Sequence, residues 1–514
     1  MSNQTNQLKA GAIISYIQMA LSVVIGLVYT PIMIRLLGQS EYGLYNTVAS
    51  TISMLSVLSL GFNSSYIRYY SKYKVNNDKN SINKLNGMFL IIFVVIGIVA
   101  LACGLFLTNN LRLVFDSGLT DSEYVLAKKL MFILSINLAV SFPTSVFSNI
   151  ISAHEKFVIL KLLSVIRTVV SPLLNIPLLL LGYGSVAIVI SAFILSLTVD
   201  SIFILYTVLK LKQKFVFHGF EKGLFKSLFI YTSFIAINLI VDQINWNIDK
   251  FLLGRYKGTI FVAIYSVGYM IYQYYMVFSS AISGVFTPRV HNIINSTNDN
   301  PKEQKVQLTQ IFVKVGRIQF LILMLIATGF VFFGQPFISF WAGEGYNDAY
   351  YVALILMFPA TIALTQNVGI EIQRAENKHQ FRSIVYLIMA VLNLILSIYL
   401  CQKYGAIGSA VGTAFSLVVA NGIIMNVYYQ KKCNIDVICF WKNICRMCVG
   451  LIVPIAIGIC MMLFVELYTF WKLLLCIIVY AVVYILSMWL LGMNEYEKGL
   501  MKKPLMRRKN DKNS

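Results

Sequence analysis

The sequence predicts an all-α integral membrane protein of about 14 transmembrane helices, built as two pseudo-symmetric six-helix bundles plus two C-terminal helices. Three observations predict it: an apolar composition, a succession of bilayer-length apolar runs, and short motifs that recur at a near-constant offset. Of the 514 residues, 58% are hydrophobic and 12% charged, a balance no soluble domain of this size needs, because its surface must meet water. The net charge of +21 lies in short segments between apolar runs. That is the pattern of cytoplasmic membrane loops, and it argues against nucleic acid as a partner.

Crossing the hydrocarbon takes roughly 20 apolar residues in a helix. The amino terminus is polar up to Ala10, and the run after it is too long, and lacks a small-residue cleavage site, to be a removed leader. It therefore reads as a retained first span. The predicted spans are residues 11–34, 45–66, 88–107, 130–147, 160–181, 185–206, 229–246, 261–285, 313–333, 350–367, 383–401, 406–427, 448–467 and 471–491. With loops alternating sides, roughly three quarters of the 42 Lys and Arg fall on one side together with both termini, so that side is expected to be cytoplasmic. The opposite loops are short, or acidic like the one holding Glu344 and Asp348. No loop is long enough for a separate soluble domain, so function is expected within the bundle.

Leu36-Leu37-Gly38 after the first span recurs as Leu252-Leu253-Gly254 after the seventh, and Phe142-Pro143 recurs as Phe358-Pro359, both 216 positions apart. Tyr183-Gly184 and Tyr404-Gly405 follow at nearly the same offset. A fixed spacing of this kind is what internal duplication leaves. Six spans per copy is an even number, so the copies share one orientation. The expected division is an N-terminal lobe (1–208), a cytoplasmic linker (209–228), a C-terminal lobe (229–430), two added helices (431–494) and a basic cytoplasmic tail (495–514). Two similar bundles leave a cleft between them, and rocking about it favours a transporter over a fixed pore.

Polar residues inside the spans are the candidates for function. In the seventh span Asn238, Asp242, Asn245 and Asp249 are spaced four, three and four apart, which puts them on one helical face. Shifted by the repeat offset, the first three fall on Ser22, Gly26 and Tyr29 of the first span, where Gln18 and Ser15 continue a weaker stripe. Both helices are expected to line the cleft. An ionisable group at bilayer depth costs roughly 2.5–3.5 kcal/mol, so Asp242 should face protein or water. Asp242 and Asp249 are the candidate ion-coupling carboxylates, although Asp249 beside Lys250 also fits a helix end at the outer interface.

Arg167 is the one Lys or Arg placed deep in a span, where it either contacts an anionic substrate or pairs with Asp200 of the next span. Arg68 and Arg289 end the second and eighth spans on the cytoplasmic side, and Arg35 ends the first on the outer side. Guanidinium forks suit phosphate oxygens, and snorkelling to headgroups explains any one of them equally well. Tyr265, Tyr269 and Tyr272 recur at helical spacing in the eighth span, with Gln273 and Tyr275 beside them. Such a face stacks on sugar rings or serves as packing and interface anchors.

Nothing points to catalysis or to a cofactor. Cys445 and Cys448 are spaced like half a metal site, but no second pair and no nearby histidine completes one, so the eight cysteines are expected to pack as apolar groups. His154, His218, His291 and His379 all fall in predicted cytoplasmic loops. The chain contains no nucleophile elbow, phosphate-binding glycine loop or zinc-protease motif.

The segment from Tyr29-Thr30-Pro31 to Arg35-Leu36-Leu37-Gly38, then Glu41-Tyr42-Gly43-Leu44-Tyr45, resembles the amino-terminal signature of O-antigen and capsule-type polysaccharide flippases. These belong to the multidrug/oligosaccharidyl-lipid/polysaccharide exporter superfamily. Gly61-Phe62, Arg68-Tyr69-Tyr70, Ala153 to Phe157 and Asp249 to Gly254 also resemble family positions, and the likeness runs to about the twelfth span. It implies two six-helix lobes in a V and a polyprenyl-diphosphate-linked oligosaccharide moved from inner to outer leaflet. In the related lipid II flippases cavity arginines engage the pyrophosphate, and Arg35 and Arg68 are nearest to them in context. Those flippases also carry a cavity arginine in the eighth helix, where this chain has its tyrosines, a departure that favours a capsular or surface-polysaccharide unit.

The expected mechanism is alternating access. Arg68, Arg167 and Arg289 would receive the diphosphate, and the glycan would lie against the first, seventh and eighth spans. The lipid tail would stay in the bilayer, with an ion or the membrane potential as the drive. Membrane lipids are the expected surroundings, and a polysaccharide polymerase and glycosyltransferases are candidate partners. A drug or metabolite antiporter of the same superfamily is the nearest rival. A membrane glycan polymerase or ligase is a more distant one, since it would need a large outer catalytic loop.

Overall fold

In hydrocarbon no water satisfies backbone amides, so a chain this apolar must close its hydrogen bonds within helices. The computed structural model describes residues 2–115, 118–220, 222–297, 300–376 and 378–500 and has no β-strand among them. The fourteen residues that end the predicted basic tail, 501–514, lie outside the described residues. The helices are α1 (Ser2–Met54), α2 (Phe62–Val75), α3 (Lys79–Asn109), α4 (Asp121–Ala153), α5 (Phe157–Leu180), α6 (Gly184–Leu205), α7 (Lys222–Tyr256) and α8 (Thr259–Ser296). They continue as α9 (Pro301–Trp341), α10 (Asp348–Thr365), α11 (Asn367–Ala375), α12 (His379–Leu417), α13 (Met425–Lys432), α14 (Val437–Cys448), α15 (Ile452–Phe464) and α16 (Phe470–Ser487).

Among the described residues eleven helices are long and apolar enough to cross a membrane. Large apolar side chains such as Phe464 (84% exposed), Trp471 (75%) and Leu490 (73%) point outward, as a lipid-facing surface requires. The protein is a multi-pass membrane protein. Eleven, counted over the described residues, differs from the fourteen expected spans in two ways. Two of the continuous helices, 66 and 53 residues long, each contain two predicted spans. The seventh predicted span lies in α7, several of whose side chains lie outside the described ones over which the eleven are counted.

The long helices are bent where the sequence allows it. The first turns at Gly38 (φ 74°) and again at Leu60 and Gly61 (φ 47° and 77°), and the second at Gly405 (φ 59°). Gly184, the counterpart of Gly405 in the Tyr-Gly repeat, has φ 62°. Both motif copies thus place a glycine at positive φ where the chain turns into a helix, a conformation an L side chain rarely adopts. Pro143 and Pro359, the other repeated pair, both lie inside helices, α4 and α10.

The chain divides into two compact units, one running up to Ser266 together with Leu394–Ser409, the other Val267–Asn393 with the described residues from Ala410 onward. In the first unit α3 and α4 approach closely because Gly97 and Gly104 leave room for Ala139 and Ser135; a Cβ on Gly104 would lie 2.3 Å from the Ser135 hydroxyl. Small residues are what let membrane helices meet without a hydrophobic drive. Buried Asn175 in α5 donates to Tyr29 of α1 at 3.0 Å and accepts from Ser191 of α6.

The motif Glu41-Tyr42-Gly43 turns out to join helices. Glu41 accepts from the backbone amide and hydroxyl of Ser185 at 2.6 and 2.7 Å, placing a carboxylate at the positive N-terminus of α6. A Cβ on Gly43 would sit 1.9 Å from the Thr259 carbonyl oxygen, and Glu123 of α4 accepts from Ser40 and Thr259. The base of the α7–α8 hairpin is thereby fixed to α1 and α4.

In the second unit, aromatic packing of Phe312, Tyr429 and Phe440 forms the centre of a core reaching α8, α9, α13 and α14. Helix α14 lies in a stretch expected to be loop. Its buried Val437, Phe440, Ile444 and Met447 recur at helical spacing, the stripe of an amphipathic helix.

Candidate functional site

Helix α7 carries its polar stripe as expected from spacing, but the four side chains have different surroundings. Asn238 and Asp242 are exposed and Asn245 is half-buried. Asp249 is 3% exposed, and Tyr265 of α8 and Ser409 of α12 each donate a hydroxyl to its carboxylate at 2.7 Å. These two hydrogen bonds tie α7, α8 and α12 together within the first unit. A second polar row on α7 runs from Asn247 to Gln243 to Ser56, at 2.6 and 3.0 Å.

The four candidate arginines, Arg35 on α1, Arg68 on α2, Arg167 on α5 and Arg289 on α8, are all exposed. Arg167 forms no ion pair with Asp200 within 4.0 Å among the described residues; Asp200 instead accepts from Thr144 of α4 at 2.8 Å. The pairing weighed from sequence is therefore replaced by a neutral donor, and the guanidinium stays exposed. Arg289 lines a cavity of about 400 Å³ with Gln307, Gln310, Lys314 and Tyr496.

The tyrosines of α8 are packed inward. Tyr265, Tyr269 and Tyr272 are 1%, 4% and 7% exposed; the Tyr269 and Tyr272 rings touch at 5.7 Å between centroids, and Tyr275 shares a 2.6 Å hydrogen bond with Thr361. In this conformation the rings contact other helices.

Three constellations escaped the sequence. Arg317, one turn inside the predicted ninth span, is a second deep arginine and is 5% exposed. It pairs with Glu497 at 2.6 and 2.9 Å and donates to the carbonyls of Asn443 and Gly492. Arg382 at the start of α12 lies over the Tyr386 ring and donates to the hydroxyls of Tyr386 and Tyr429; Tyr386 in turn donates to Asn421 at 2.7 Å. A third, lysine-rich cavity forms where α2, α3, His154 and residues 211–214 meet. Polar side chains spaced along one helix can be read from sequence, but partners on other helices, 35 to 180 residues away, cannot.

Among the described residues no group of three or more His, Cys, Asp or Glu could hold a metal ion. The eight cysteines are free thiols: Cys401, Cys433 and Cys476 are buried, whereas Cys445, Cys448 and Cys460 are exposed. Taken singly, the candidate side chains are exposed guanidiniums on α1, α2, α5 and α8, an exposed acid on α7, and amide and hydroxyl groups.

Residues 8–293 match the polysaccharide biosynthesis protein family, a range that includes every candidate residue named from sequence. The chain belongs to that family. A Shigella flexneri relative named as an O-antigen transporter is 22% identical over 404 residues, covering 78% of this chain and 92% of its own. A solved lipid II flippase, MurJ in an inward closed conformation, is 18% identical with a TM-score of 0.65, covering 93% of this chain and 97% of its own. An inward-facing multidrug resistance MATE family transporter of the MOP superfamily is 14% identical with a TM-score of 0.64, covering 82% and 99%. This member of the polysaccharide biosynthesis protein family thus has the fold of those transporters.

Proposed function

We propose that this protein is a flippase that carries a polyprenyl-diphosphate-linked oligosaccharide repeat unit from the inner to the outer leaflet of the cytoplasmic membrane, for surface polysaccharide biosynthesis. The observation that carries the reading is membership of the polysaccharide biosynthesis protein family together with the fold of a lipid flippase over 93% of the chain. It moves its substrate and makes no bond, and transport proceeds by alternating access between the lobes expected from sequence. The fourteen spans follow if the two long helices each count twice and α7 is included. Both termini are cytoplasmic on the distribution of Lys and Arg.

Arg35, Arg68, Arg167 and Arg289 are exposed cations suited to the diphosphate. Asn238, Asn245 and the tyrosines of α8 take part in glycan contact once the conformation that buries the rings gives way. Asp242, exposed on α7, is the coupling carboxylate, with buried Asp249 moving in concert. Enzymes that build and polymerise the repeat unit are the partners.

In cells lacking the protein, the lipid-linked repeat unit should accumulate on the inner leaflet while surface polysaccharide falls. Arg68→Ala and Arg167→Ala, expressed at wild-type level, should fail to restore it. Normal outward transfer in the absence of a second flippase would instead favour an antiporter of small molecules.

A further inference from the structure

The lysine-rich cavity of the first unit has no part in the path just described. It encloses about 570 Å³ and is lined by Lys74, Lys79, Lys212 and Lys214 together with Asn77, Asn83, Gln213, Tyr70 and His154. We propose that this cavity is a binding site for a phosphoryl-bearing headgroup, supplied either by an anionic phospholipid of the surrounding leaflet or by a lipid diphosphate.

The site is built by the fold. Residues 211–216 lie against α3, held by the Val216 amide donating to the Asn83 carbonyl at 3.0 Å and by buried Asn86 donating to the Lys214 carbonyl at 3.1 Å. Asn86 is itself fixed by the Tyr66 hydroxyl at 2.7 Å. Gly87 permits this approach, since a Cβ there would stand 2.1 Å from the Val216 oxygen. Asn77 and Lys212, both lining the cavity, have positive φ, 54° and 50°. Non-glycine residues rarely adopt this conformation, and it tends to persist at sites that use it.

The charge balance is positive. Glu155 lies 3.9 Å from Lys74, and Asp78 is taken up in capping α3 through Ser81, at 2.9 Å from the amide and 2.6 Å from the hydroxyl. The other three lysines have no ion pair within 4.0 Å among the described residues. His154, also lining the cavity, donates Nδ1–H to the Ile150 carbonyl at 2.8 Å, and its Nε2 shares a 2.8 Å hydrogen bond with the Tyr70 hydroxyl. Four ammonium groups around a concavity, with amides between them, match a phosphate's several acceptor oxygens. The inference does not require the flippase reading.

Purified full-length protein in a neutral detergent would be titrated with farnesyl diphosphate in one arm and, in nanodiscs, with phosphatidylglycerol against phosphatidylcholine in the other. The variants are Lys212→Gln/Lys214→Gln and Lys212→Arg/Lys214→Arg. Binding in either arm that weakens about tenfold or more in the Gln pair and is kept by the Arg pair supports the site, and the arm that responds names the source. If the Gln pair does not fold, wild-type affinity should still fall as salt rises from about 50 to about 500 mM. Binding in neither arm, binding unchanged in a folded Gln pair, or wild-type binding insensitive to salt overturns it.

Discussion

A buried carboxylate is tolerated only when its oxygens are supplied with donors, and Asp249 has hydroxyls from Tyr265 and Ser409. Tyr265→Phe removes one donor from this buried carboxyl, worth about 1–3 kcal/mol, and should lower the melting temperature in detergent. Phenylalanine at Tyr183, an exposed ring, should not. A double-mutant cycle with Ser409→Ala should return a non-zero coupling, because both donors serve one carboxylate. His154 gives a pH dependence. Burial first, then Lys74 and Lys156, hold its imidazole below its ordinary value of 6.5. The unfolded chain therefore binds the proton more readily, so the stability from neutral His154 is present above about pH 6.5 and is lost as pH falls through the depressed value. The melting temperature should drop between about pH 6.5 and 5, and His154→Gln should flatten that slope relative to wild type.

At the scale of the element, packing tolerances decide. Gly43→Ala puts a methyl group on the Thr259 carbonyl, backbone that cannot rotate away, so the α7–α8 base must shift. Overpacking costs of about 1–3 kcal/mol predict a lower yield of monodisperse protein, whereas Gly223→Ala, with open space around it, should behave as wild type. The same residues show what the sequence discloses. Glu41-Tyr42-Gly43 stands out as a motif, but its partners Ser185 and Thr259 are 144 and more than 200 residues away, so the motif's role in joining helices is visible only in the fold. The span pattern is legible because lipid demands it locally. The stripe of α14 was legible too, but its 12 residues are too few to stand out as a span. The position of Asp242 on an exposed face follows from periodicity; the burial of Tyr265, Tyr269 and Tyr272 does not, since an aromatic stripe serves packing or recognition equally well.

For the whole molecule, the sequence yields class, approximate span count and polar stripes, and misses the long-range pairs that close each unit. The Arg317–Glu497 pair is the clearest case, joining α9 to the helix at 495–500 across 180 residues. Removing one partner of a buried pair strands the other, at a cost of about 3–5 kcal/mol. Glu497→Ala should therefore destabilise the second unit far more than Glu495→Ala, whose partner Lys498 is a surface contact. Differential scanning fluorimetry on the two variants would show it.

The position of that pair in the chain also orders synthesis. Arg317 leaves the ribosome long before Glu497, and while the membrane helices between them insert its guanidinium lacks its counter-charge. During that interval α9 must keep its first turns near the aqueous boundary. Its final depth is reached only when the end of the second unit arrives, so biogenesis of this protein is completed from its C-terminal side.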